Sequence, residues 1–126
     1  MHAVCAGMTR LPFRRGAFDY VLAWNVIYHG DRAALENALR EITRVLRTGA
    51  LLQATCLSKR QASFGRGQRV RRDTYIDLDH PEKAHPHHYL DERCLRALLY
   101  EHSLWPLAVS ERVDTYHWHI LAERAR

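Results

Sequence analysis

Nine histidines are spread through 126 residues, and several stand where an imidazole could meet a substrate. In YHWHIL, His117 and His119 are two apart, so on a strand both project from one face. An imidazole titrates near neutral pH and can take a proton from a nucleophile, which makes both candidate catalytic bases. His29, in NVIYHG, follows an apolar run that reads as a strand and so lies just past its end. It joins them as a third catalytic candidate. The segment HPEKAHPHH adds His80, His85, His87 and His88, with Pro81 and Pro86 between them. A zinc site needs three or four ligands converging in space, and this spacing, without HExxH or CxxC, does not define one. The segment reads as a loop over the edge of a sheet, and no metal site is expected. SFGRGQRVRR has the glycines and arginines to cradle an anion, but it is neither GxGxxG nor a P-loop, and a solvated lid fits it better. Asp19 reads as a structural acid. No Ser-His-Asp order or carboxylate pair supports hydrolytic chemistry.

These groups need elements to hold them. Residues 3–6 (AVCA) read as the end of a short buried strand, and Phe18 to Trp24 (FDYVLAW) as a strand buried on both faces. DRAALENALREITRVLRTG is the clearest helix. Asp31 is placed as its N-cap, Leu35, Leu39, Ile42 and Leu46 form an apolar stripe, Glu36 and Arg40 can pair across one turn, and Gly49 is placed to end it. ALLQATCL (50–57) follows as a second strand, completing a βαβ unit with parallel strands and a right-handed crossover. Ser58 to Tyr89 is a long polar, basic excursion of the kind that forms lids and binding loops. A second helix is expected from Asp91 to His102, with Leu95, Leu98 and Leu99 inward. Strands at 107–112 and 116–122 follow, joined by VDT as an antiparallel hairpin.

Composition narrows the class. With 47% apolar and 26% charged residues the chain is an ordinary globular protein of one domain. It carries no apolar run of the roughly 20 residues that a membrane span needs. Three widely spaced cysteines, Cys5, Cys56 and Cys94, suit reduced thiols and a cytoplasmic location. A net charge of +5 favours an anionic partner, but the charges are dispersed apart from a cluster between Lys59 and Arg72, which argues against nucleic acid.

The ordered string LPF…G.FDYVLAWNVIYH…L.EITRVLRTGALLQATCLS, continued by SK, FGRG, DTY, HPHHY and HWHILAER, resembles the middle and later part of class I S-adenosylmethionine-dependent methyltransferases of the type 11 kind. The resemblance spans nearly the whole chain. It implies an α/β, Rossmann-like sheet of parallel strands ending in an antiparallel hairpin, with the first two strands of the family fold missing, so that residues 1–126 form the C-terminal portion of a methyltransferase domain. The implied cofactor is S-adenosylmethionine. The implied cofactor-binding residues are Met8 and Leu11 near the adenine, and Ala23, Trp24 and Asn25 at the end of the FD strand. The family's glycine-rich loop and ribose-binding acid have no counterpart here, and Gly7 stands where the family usually has an aspartate on the adenine amine. The expected function is methyl transfer to a small-molecule acceptor, with the isolated chain inactive. The alternative is a non-catalytic binding or subunit-interface module. An exposed sheet edge would then pair with a second copy or with a complementing N-terminal half.

Overall fold

A computed structural model describes residues 3–77 and 85–125; His80 and Pro81 lie outside them. The elements run β1 (Phe18–Ala23), α1 (Arg32–Val45), β2 (Leu46–Ser58), β3 (Gln68–Arg71), β4 (Thr74–Ile76), β5 (His87–Leu90), α2 (Glu92–Glu101), β6 (Leu104–Glu111) and β7 (His117–Arg124). Both helices start on an aspartate whose side chain accepts a backbone N–H three residues on: Asp31 from Ala34 and Asp91 from Cys94. Each helix buries one stripe, Leu35, Ala38, Leu39 and Ile42 in α1 and Leu95, Leu98 and Leu99 in α2. Both stripes pack on the same side of the sheet, against Leu52, Ala54, Cys56, Ile120 and Ala122.

The sheet is built around β2, thirteen residues long. β1 runs parallel to β2, as the βαβ reading requires, pairing Val21 with Leu52 and Ala23 with Ala54. β7 lies on the other flank of β2, antiparallel, and β6 pairs antiparallel outside β7. At the far end of β2, Leu57 and Ser58 pair in parallel with Tyr89 and Leu90 of β5, and β5 carries the antiparallel β4 and β3. The α/β, Rossmann-like sheet is therefore present. It is a mixed, curled sheet, however, and not simply parallel strands followed by a hairpin.

Five local expectations need correction. Residues 3–6 are exposed and form no strand, because none of the described strands offers them a ladder. β1 is not buried on both faces: Tyr20 and Leu22 are 47% and 56% exposed, since both helices lie on the opposite side of the sheet. Gly49 does not end α1, which stops at Val45 with Leu46 already extended; its positive φ of 83° lies inside β2. The 58–89 excursion is an arm with its own small β-structure. Gly67 makes its turn possible, with φ at 78° and an added Cβ falling 1.9 Å from the Ile76 carbonyl oxygen. On α1, Glu36 lies 3.8 Å from Arg32, while Arg40 donates to Asn37.

Candidate functional site

A cavity of about 590 Å³ opens where β1 and β2 end. That is the side on which open α/β sheets receive ligands. Its lining includes Tyr28, His29, His85, His87, Tyr89 and His117. The backbone brings them together through several short links. His29 and His87 form an isolated antiparallel bridge, the Gly30 N–H donates to the Pro86 carbonyl at 2.6 Å, and the His88 N–H donates to the Tyr28 carbonyl at 3.0 Å. The loop after β1 is thus stitched to the start of β5. Strand alternation then turns His87 and Tyr89 to the cavity and His88 away, into a buried contact with the Thr74 hydroxyl at 2.8 Å.

Inside the cavity, Tyr28 stacks on His29 with ring centroids 4.9 Å apart and meets His117 edge-on at 5.9 Å. His29 Nε2 lies 3.1 Å from the Asn25 carbonyl and Nδ1 lies 2.7 Å from His85 Nε2. A carbonyl only accepts, so Nε2 of His29 carries the proton and Nδ1 presents a lone pair. Burial, and then the neighbouring His85, push the His29 pKa down, which favours the neutral ring. Burial raises the phenols of Tyr28 and Tyr89, keeping both as neutral hydrogen-bonding groups; the Tyr89 hydroxyl sits 2.7 Å from that of Ser63. Leu57, Phe64 and Tyr75 supply apolar wall. The cavity therefore has room and apolar surface for a small molecule, with imidazoles at its rim able to take a proton.

The remaining sequence candidates lie elsewhere. His119 shares a strand face with His117 but borders a second, shallow groove of about 200 Å³, where its ring meets Trp24 edge-on at 4.9 Å. Burial lowers the His119 pKa, with Arg112 and His117 adding to the shift. Asn25 joins the two regions. Its φ is 56°, its N–H donates to the Thr55 hydroxyl at 2.8 Å, and its carbonyl orients His29. Met8 packs against the helix-side core. Leu11 is held by α1, its N–H donating to Glu41 at 2.8 Å and its carbonyl accepting from Arg44 at 2.8 Å. Asp19 takes a hydrogen bond from Arg47 at the surface. The glycines of FGRG serve the turn into β3, though Arg66 and Gly67 do border the cavity.

The residues proposed for the cofactor do not form a closed site. Ala23 is 5% exposed with its side chain in the core, while Trp24 is 46% exposed. The groove beside Trp24 is smaller than the roughly 300 Å³ at which small-molecule sites begin. Gly7 has nothing within 4 Å of an added Cβ. What the sequence reading missed was the aromatic wall of Tyr28, Tyr75 and Tyr89 and the approach of His85 and His87 to His29. The HxHxY alternation of HPHHY was the available signal for the second.

Comparison with known proteins agrees with this architecture. A family described as a methyltransferase domain matches residues 1–54. No curated protein matches the sequence. Among solved structures, an S-adenosylmethionine-dependent methyltransferase from Methanosarcina mazei superposes with a TM-score of 0.76 at 16% identity, over 95% of this chain and 65% of its own. The 1,6-didemethyltoxoflavin-N1-methyltransferase of Burkholderia thailandensis, solved with 1,6-didemethyltoxoflavin and S-adenosylhomocysteine, gives 0.72 at 17% identity, over 98% of this chain and 50% of its own. Geranyl diphosphate C-methyltransferase from Streptomyces coelicolor gives 0.64 at 14% identity, over 98% and 52% respectively. The chain thus spans between half and about two thirds of the length of these proteins. The chain thus has the fold of S-adenosylmethionine-dependent methyltransferases over nearly its whole length, and its first 54 residues match the methyltransferase-domain family.

Proposed function

We propose that this chain is the acceptor-binding portion of an S-adenosylmethionine-dependent methyltransferase, acting on a small molecule held in the histidine-rimmed cavity, and that the 126-residue chain transfers no methyl group by itself. The carrying observation is the contrast between a formed cavity of about 590 Å³ and a groove of about 200 Å³ beside Trp24. Methyl transfer depends mainly on holding donor and acceptor in line with water excluded. This chain's contribution is to seat the acceptor against Tyr28 and Tyr89 and to place His29 or His117 where either can accept its proton. The His29 ring is held neutral, and a proton delivered to its Nδ1 would displace the contact with His85 Nε2 at 2.7 Å. His119, with Trp24, Asn25, Met8 and Leu11, would face the donor once that side is completed. The unpaired cysteines, Cys56 buried and Cys5 exposed, accord with a reducing, cytoplasmic setting. No helix among the described residues is long and apolar enough to cross a membrane.

The acceptor site is testable without a donor. A ligand-observed NMR screen of small aromatic and heterocyclic compounds against the chain is expected to yield binders that Tyr28→Ala and His117→Ala both weaken. A screen with no binders, or with binders indifferent to both substitutions, would contradict the assignment.

A second reading is favoured by one observation. The sheet face away from the helices exposes Tyr20 and Leu22 of β1 and Trp24, the residue after it, each between 46% and 56%. Among the described strands β1 also pairs on one side only. Such a face and edge invite another chain, a second copy or a complementing N-terminal half. Sedimentation velocity across a hundredfold concentration range is expected to show association that Leu22→Lys reduces. A monomer throughout would remove the homodimer form of this reading.

A further inference from the structure

The three imidazoles at the cavity rim have a property that proton transfer does not require. One ligand nitrogen from each of His29, His85 and His87 lies within 4.8 Å of the other two. His29 comes from the loop after β1, while His87 opens β5 and His85 precedes it, so two chain segments 56 residues apart converge here. We propose that His29, His85 and His87 form a binding site for a divalent transition ion of the zinc class, with an open coordination position facing the acceptor cavity.

Three features carry the assignment. First, His29 is oriented as metal-bound histidines usually are, with one ring nitrogen donating to a backbone carbonyl, here that of Asn25 at 3.1 Å, and the other presenting its lone pair inward. Second, that inward Nδ1 faces His85 Nε2 at 2.7 Å, a contact in which one proton is shared between two nitrogens. An ion replaces this proton: His85 moves its N–H to Nδ1 and both facing nitrogens become donors to the metal. Third, the backbone is fixed in advance by the His29–His87 bridge and the Gly30–Pro86 hydrogen bond, so little chain ordering opposes binding. Neutral imidazoles around a four-coordinate ion suit zinc, cobalt or nickel and not magnesium or calcium, which prefer oxygen. Ligand distances of about 2.0–2.1 Å place tetrahedral nitrogens about 3.3 Å apart. The closest pair must therefore open by about 0.6 Å and the widest close by about 1.5 Å, motions within reach of rim side chains.

Three protein ligands with the fourth position open is the pattern of catalytic, not structural, zinc. Here the open position faces a cavity that also holds Tyr28, Ser63 and Tyr89, so an acceptor's oxygen, nitrogen or sulfur would have both a metal and apolar wall to meet. The site stands whether or not the chain transfers methyl groups.

The test uses tag-free, chelator-stripped protein titrated with zinc by calorimetry and with cobalt by visible absorption. The expected result is one ion per chain and the d–d bands of a four-coordinate cobalt. His85→Ala and His87→Ala should each weaken binding beyond the roughly 10–100-fold that outer-shell losses cost, with circular dichroism unchanged. A folded wild-type chain that takes up no stoichiometric ion would overturn the proposal. So would wild-type affinity in both variants, which would place the ion elsewhere.

Discussion

On one face of the sheet Leu52, Ala54 and Ala122 have no exposed surface and Ile120 is 3% exposed, sealed beneath α1 and α2; on the other, Tyr20 and Leu22 stand 47% and 56% exposed. The same strands supply both faces, so the difference lies in what covers them. Sheets with parallel strands are ordinarily covered on both sides. The covered face explains how a chain of this length folds, and the open face explains why the groove beside Trp24 stays shallow. A cavity needs walls on several sides. The histidine-rimmed cavity has them because the β3–β5 arm and the loop after β1 close over the ends of β1 and β2. The Trp24 end has the sheet for a floor and little above it.

The contrast can be broken most severely by truncation on each face. Leu98→Ala, in the sealed core, is expected to cost about 2–5 kcal/mol in urea denaturation, whereas Leu22→Ala should stay within about 0.5 kcal/mol. Equal losses would mean that the open face is covered in solution. Thr55 sharpens the comparison. It projects from the open side of β2 yet is 1% exposed, because the Asn25 loop lies over it and takes both a backbone and a side-chain hydrogen bond to its hydroxyl. Thr55→Val keeps the shape and leaves the Asn25 N–H without that acceptor, for an expected loss of about 1–3 kcal/mol. The same change should perturb His29, visible in the imidazole NMR signals.

Smaller effects belong to the segment that carries Met8 and Leu11. Arg44 donates to the carbonyls of Phe13 and Leu11 and pairs with Glu41, whose other contact is the Leu11 N–H. The Arg44 side chain, then the Leu11 amide, hold the Glu41 carboxyl down at about 2. A carboxyl lowered on folding stabilises the fold fully above its unfolded value of about 4.3 and loses that contribution as the pH falls toward 2. The pair is partly exposed, so solvent screens it and its contribution is small. Glu41→Gln is expected to lower stability at neutral pH and to flatten the acid limb between those values; an unchanged acid limb would remove Glu41 as its source. The smallest change is Gly7→Asp. The open space around Gly7 predicts a shift in melting temperature near zero, and a large destabilisation would show that the position is packed in solution.

Much of this architecture is written in local patterns. Both helices were legible because a 3.6-residue apolar stripe and an aspartate cap agree, and β1 and β7 because their apolar runs are bounded by turns. Where the reading failed, the deciding partner was distant in sequence. AVCA has strand composition but no ladder. FDYVLAW has the composition of a doubly buried strand, but only one face meets helices. Gly49 has the positive φ of a helix-ending glycine, yet α1 had already stopped at Val45 and the chain used that freedom inside β2. Within the site, placing His29 past the end of β1 and His117 on β7 needed only local pattern and the order of elements. Their union with His85 and His87 required β5 to pair with both β2 and β4; the HxHxY alternation puts those side chains on one face but does not say which strands flank them.

The central claim is that the acceptor end is formed and the donor end is not. Calorimetric titration of the folded, tag-free chain with S-adenosylhomocysteine addresses it directly. The account predicts no saturable heat up to about millimolar ligand, an affinity weaker than about −4 kcal/mol. A one-to-one isotherm with a micromolar Kd would contradict it, and would show that the residues around Trp24 and Asn25 close a donor site by themselves.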